Sequence, residues 1–157
     1  MRSSVLMTIV LILGFSFSVA AQTDQSEALD KAFQACTAEI EAGAKLDEKC
    51  VEKAVAACAA ENPSTHGETA CATRAFELLD KKLEKVFEAL LAKSDSNERK
   101  ALKAAQKKWI DFRNAEFKLI DELYTFEKGS MNVPFNAYAR MRVVKTRVFE
   151  LQHYMDE

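Results

Sequence analysis

The side chains able to do chemistry are few, and their spacing is poor for it. His66 and His153 are the only histidines. Ser64-Thr65-His66 sets a hydroxyl beside an imidazole, but a nucleophilic serine needs a sharp strand-to-helix elbow, and no strand is written around it. Asp111 and Glu116 are the carboxylates nearest the only Trp, and five residues on a helix turn them to different faces, so they do not converge on one bond as general acid and base must. Arg113 and Glu116 stand three apart, within reach on one helix surface, which reads as a structural ion pair. Four cysteines follow the N-terminal segment: Cys36, Cys50, Cys58 and Cys71. They form no CxxC knuckle for zinc and no redox dithiol. The expectation is a protein that is not an enzyme, with no metal and no cofactor.

An even number of cysteines in an exported chain implies full pairing. Residues 27–41 read as a helix that stops at Gly43, and residues 46–61 as a second that stops at Asn62-Pro63. A third begins at Gly67. In an antiparallel hairpin, positions equidistant from the turn face each other. Cys36 and Cys50 are equidistant from Gly43, and Cys58 and Cys71 flank Asn62-Pro63-Ser64-Thr65 almost evenly. The expected bridges are therefore Cys36–Cys50 and Cys58–Cys71. Joining Cys50 to Cys58 would span about 12 Å along one helix, beyond disulfide reach. Closing loops of this size contributes about 3 kcal/mol each in the chain-entropy model.

Export is read from the N-terminus. Met1-Arg2 is a basic start, Val5 to Phe17 an uncharged apolar run, and Ser18-Val19-Ala20-Ala21 offers small residues for cleavage. The apolar run is short for a spanning helix, which needs about 20 residues. Residues 1–21 thus read as a cleaved secretory signal peptide, and residues 22–157 as one soluble domain, periplasmic or secreted, with no membrane contact after cleavage. The formal net charge is −2, one unit more negative without Arg2. That near-neutral balance argues against nucleic acid as a partner.

The elements that carry these side chains are helical. Gly and Pro together number six, and Ala, Leu, Glu and Lys dominate. Residues 67–93 place Phe76, Leu79, Leu83, Val86 and Leu90 on one stripe, widened by Leu78, Phe87 and Leu91. Ser94 to Asn97 breaks the pattern, and Asp95 with Glu98 spells a capping box. The next helix reads to about Glu127. Its seam is Leu102, Ala105, Trp109, Phe112, Glu116, Leu119, Leu123 and Phe126, apolar except for Glu116, so Trp109, Phe112, Arg113 and Glu116 are read as core with an ion pair. A turn at Lys128-Gly129-Ser130-Met131-Asn132-Val133 precedes a last helix that starts near Pro134. Its seam is Ala137, Met141, Val144, Val148, Leu151 and Met155, with Arg140, Arg142, Lys145 and Arg147 on its outer face. The expected fold is all-α: an antiparallel helical bundle of three long helices (residues 58–157) plus a disulfide-stapled N-terminal helical hairpin (residues 22–57).

One ordered set of residues carries a resemblance. Cys71 is followed by Asp80, Leu83 and Leu90. Ala105-Gln106-x-x-Trp109-x-x-Phe112-Arg113-x-Ala115-Glu116 comes next, then Gly129-Ser130, then Arg147-x-x-x-Leu151. From Cys58 to Leu151 this resembles the LprI-like lysozyme-inhibitor domain family of small exported bacterial proteins. The AQxxWxxFRxAE block is its most specific part. The chain departs from the family at a second cysteine pair, having Phe117 at the first position and no Cys near Tyr138 to Arg140. Glu84 and Phe87 replace the family's usual Asn and Tyr. The resemblance implies a binding protein whose partner is a lysozyme-type muramidase, inhibited by occluding its cleft. Such a cleft carries two catalytic carboxylates, and a protruding loop with small polar and basic groups suits it: Lys128, Gly129, Ser130 and Asn132, with Met131 as an apolar contact. The alternative is a non-inhibitory cell-envelope interaction module, using the basic face of the last helix or a groove between the sub-bundles.

Overall fold

The computed structural model describes Glu27, residues 29–32 and Asp47–Met155. The leader, the Cys36 half of the Cys36–Cys50 pair and most of the first hairpin helix lie outside the described residues. Every regular element among the described residues is helical. In chain order these are α1 (Glu48–Glu61), α2 (Thr65–Lys93), α3 (Ser96–Leu123), a single 3-10 turn (Phe126–Lys128) and α4 (Asn132–His153).

The helix starts are set by short polar side chains. Asp47 accepts from the Lys49 amide and Ser64 Oγ from the Gly67 amide. At α3 the box is reciprocal: Asp95 accepts from the Asn97 and Glu98 amides at 2.7 and 2.9 Å, and Glu98 accepts from the Asp95 amide at 2.7 Å. Each of these satisfies donors that the first turn leaves without a helical acceptor. Helix α3 ends at Leu123 rather than at Glu127. The Lys128 ammonium donates to the Glu122 carbonyl at 2.6 Å and to that of Leu123 at 3.3 Å, so it closes the last turn from outside the helix. Gly129, at φ +121°, then turns the chain. Pro134 sits in the first turn of α4, where its missing N–H costs nothing.

The core lies between α2 and α4. Leu79, Leu83, Val86 and Leu90 of α2 interdigitate with Met141, Val144, Val148 and Leu151 of α4, all buried. Each such side chain contributes about 1.5–3 kcal/mol through removal from water. Helix α1 adds Val51, Ala54, Val55 and Cys58, and Leu29 reaches the same cluster from the N-terminal segment. Asp30 takes both Nε and Nη2 of Arg74, with Nε at 2.6 Å, which fastens that segment to α2. The Arg74 hydrogen bonds hold the Asp30 carboxyl below the usual range against the opposing effect of burial.

The turn from α1 to α2 is crossed by a disulfide, Cys58–Cys71. Cys50 is disulfide-bonded as well. Beside the turn, α2 approaches the end of α1 so closely that a Cβ on Gly67 would stand 2.4 Å from the Asn62 carbonyl oxygen.

Two readings of the helix faces are corrected. Helix α3 meets the core along a narrower face than its seam implies: Leu102, Trp109 and Phe117 pack against the core half-buried, Ile120 is its one buried residue, and Phe112, Leu119 and Leu123 are exposed. The outer face of α4 is not a basic surface either. Lys145 and Arg147 are buried, and their charges leave through long stems. Lys145 meets Glu48 and Glu52 of α1 at 2.9 and 2.8 Å. Arg147 meets Glu150 at 3.0 Å and Arg140 meets Asp121 at 2.5 Å. Of the four cations, Arg142 alone is exposed.

Candidate functional site

The face that α3 turns to the bundle is Leu102, Gln106, Trp109, Arg113, Phe117, Ile120 and Tyr124, at helical spacing and half-buried or buried throughout. Its middle is a ladder of alternating rings and guanidinium groups. Arg147 of α4 lies 5.9 Å from the Trp109 ring, Arg113 lies 5.5 Å from Trp109 and 5.8 Å from Phe117, and Arg140 lies 4.7 Å from Phe117. Polar contacts surround it. Arg147 Nε donates to Gln106 at 3.1 Å. Arg113 stands 3.8 Å from Asp80 of α2. Asp121 accepts from Arg140 and from Asn136, at 3.0 Å for the latter, and these bonds hold its carboxyl below the usual range. Cation–π contacts of this kind contribute about 0.5–1 kcal/mol where partly exposed.

The Arg113–Glu116 ion pair is not formed. Arg113 donates to Asn114 instead, at 3.4 and 3.2 Å. Glu116 has no ion-pair or hydrogen-bond partner among the described residues. Phe117 and Arg140 meet where the resemblance expects the family's second cysteine pair, so a ring and a guanidinium join α3 to α4 at that point.

The remaining candidate is the turn between α3 and α4. Its backbone is closed by Gly129 N–H to Phe126 O at 2.9 Å and Asn132 N–H to Gly129 O at 3.0 Å, and the Asn132 side chain also donates to Gly129 O at 3.1 Å. Lys128 is turned back onto α3. What the turn presents is largely apolar: Phe126, Met131, Val133 and Phe135 are all exposed, with the Ser130 hydroxyl among them and Glu127 and Lys128 exposed at its start. The Phe135 ring packs edge-on against Tyr124 at 6.2 Å, which ties this tip to the end of α3. Spacing alone could have shown the tip, since Phe126, Met131, Val133 and Phe135 crowd one short segment. Phe117, Arg140 and Arg147 were missed as joining residues because nothing local marks a cation for a ring on another helix.

His66 and His153 are exposed, and no three His, Cys, Asp or Glu among the described residues are grouped to hold a metal. No described helix is long and apolar enough to cross a membrane. A family model described as lysozyme inhibitor LprI matches residues 56–151, well over half of the chain. No curated protein and no solved structure matches it.

Proposed function

The chain belongs to the LprI family of lysozyme inhibitors, and from that premise we propose that it is an exported, non-enzymatic protein that binds a lysozyme-type muramidase and occludes its cleft. The observation that carries the proposal is the tip between α3 and α4. Met131 and Phe135 stand 47% and 48% exposed at one end of the bundle, beside Gly129, whose backbone lets the turn be narrow. A narrow apolar tip can enter a groove built for a glycan. The Ser130 hydroxyl, which makes no hydrogen bond among the described residues, is then the donor for a catalytic carboxylate. Lys128 serves instead to fix the tip, by holding the final carbonyls of α3.

Titration of the exported protein into muramidase activity assays tests this directly. Inhibition at or below tens of micromolar is expected, and Met131→Asp should weaken it at least about tenfold with an unchanged melting temperature. No inhibition of any muramidase class at that concentration would overturn the reading. Inhibition indifferent to Met131→Asp would move the contact elsewhere. Export is checked separately: protein recovered from outside the cytoplasm should begin at Ala21 or Gln22.

A further inference from the structure

Along α3, a quarter turn or so round from the ladder, runs a stripe that no described residue covers. Phe112, Leu119 and Leu123 are 55%, 50% and 52% exposed. Exposed Ala115 lies between Phe112 and Leu119, and exposed Ala101 and Ala105 continue the stripe toward the start of α3 at helical spacing. One flank of the stripe carries Lys108, Asp111, Lys118 and Glu122, all exposed. None of these four side chains is in an ion pair among the described residues. An apolar strip edged by unspent charges of both signs is the pattern of a helix that has a partner.

We propose that the partner is α3 of a second copy, lying antiparallel about a two-fold axis that passes at the level of Ala115. A two-fold of this kind sets each flank against the same flank of the other helix, running in the opposite direction. Positions that match in distance from the axis to within one residue, about 1.5 Å along the helix, then meet. Phe112 lies against Leu119 of the second copy, Lys108 opposite its Glu122, and Asp111 opposite its Lys118. Each contact occurs twice, so apolar matching and charge matching select one register. Sliding the copies by two or three residues one way sets Asp111 against Glu122. Sliding by four or five the other way sets Lys108 against Lys118. Like charges oppose both shifts.

The strip from Ala101 to Leu123 is about 33 Å long and one helix wide. That falls at the low end of stable interfaces, ~1,200 Å² in total, so the dimer should dissociate in the micromolar range. The ladder faces the bundle and remains inside each copy. The two tips point to opposite ends of the dimer, which leaves both free for partners.

Sedimentation equilibrium of the exported protein tests the register. A dimer that dissociates on dilution through the micromolar range is expected. Lys108→Glu and Glu122→Lys should each raise the dissociation constant about tenfold or more, and the double swap Lys108→Glu/Glu122→Lys should recover most of the loss. These positions are exposed, so circular dichroism melts of the dilute variants should match the parent. A monomer at the highest concentration reached would overturn the proposal. So would a dimer indifferent to both single swaps, or a double swap no better than either single. Protection of residues 112–123 by a muramidase rather than by self-association would give the stripe to the enzyme and overturn it as well.

Discussion

Replacing Lys145 separates two accounts of how α1 is held to α4. The residue is 8% exposed, yet its ammonium reaches Glu48 and Glu52 at 2.9 and 2.8 Å. Burial alone would depress its pKa, but the hydrogen bonds to Glu52 and Glu48 outweigh burial and hold it above its ordinary value. Both carboxylates are more than half exposed, so each pair is worth no more than about 1 kcal/mol. Removing both partners, in Glu48→Gln/Glu52→Gln, leaves a buried cation with only dipoles around it. Breaking a fully buried pair costs about 3–5 kcal/mol; with carboxylates this open to water, about 2 kcal/mol is expected, or roughly 8 °C in melting temperature for a domain of this size. Lys145→Met keeps the stem in the core and removes the charge, and the two glutamates simply rehydrate. Its cost should stay under about 1 kcal/mol. Equilibrium urea unfolding with the disulfides intact measures both. If Lys145→Met proves as costly as the double Gln variant, the ion pair is a true source of stability and this reasoning fails. The pH dependence carries a second check. A raised lysine contributes stability that is fully present below its unfolded value, near 10.4, and is lost as pH climbs through the folded value. The parent should therefore weaken at strongly alkaline pH by more than Lys145→Met does.

At acid pH the signs reverse. Asp30 and Asp121 are depressed by Arg74 and Arg140, so their contributions are present above about pH 4 and lost as pH falls through the depressed values; Asp121→Asn should show a shallower acid loss in unfolding titrations. Gly67→Ala should cost about 1–3 kcal/mol, since the added Cβ meets backbone at Asn62, and a neutral result by thermal melting would show that the α1–α2 turn yields easily. Helix α3, with one buried residue, should exchange its amide hydrogens through local opening well before α2 and α4 do. Trp109→Ala, which removes two rungs of the ladder, should speed that exchange in residues 102–120 and leave the core amides unchanged.

The sequence announced some faces and disguised others, for a physical reason. Along α2 and α4 the apolar stripe and the buried stripe coincide, because those helices press on each other and water is removed from everything between them. Leu79, Leu83, Val144, Val148 and Leu151 were legible on that ground. In α3 two stripes run through Leu102 and Trp109. The more apolar one, through Phe112, Leu119 and Leu123, is exposed. The one that meets the bundle holds Gln106 and Arg113. Its attraction lies in ring faces and acceptors supplied by other helices, and periodicity cannot register those. The same blindness put Lys145 and Arg147 on a solvent face: a hydropathy pattern counts the charged head and ignores the stem. At the candidate site the turn itself was readable from Gly129, while the inward bend of Lys128 depends on α3 ending four residues early.

The Cys58–Cys71 bridge has a consequence for the order in which the molecule is made. It joins residues 13 apart, so it needs only the α1–α2 turn to close, an event of short contact range. The core needs Val148 and Leu151, which come last in the chain. A polypeptide arriving N-terminus first can thus lock its α1–α2 hairpin while Leu79, Leu83, Val86 and Leu90 still wait in water for α4. During that interval the unfinished α2 offers a long apolar face to water, which makes it the natural handle for a chaperone or the natural seed of aggregation.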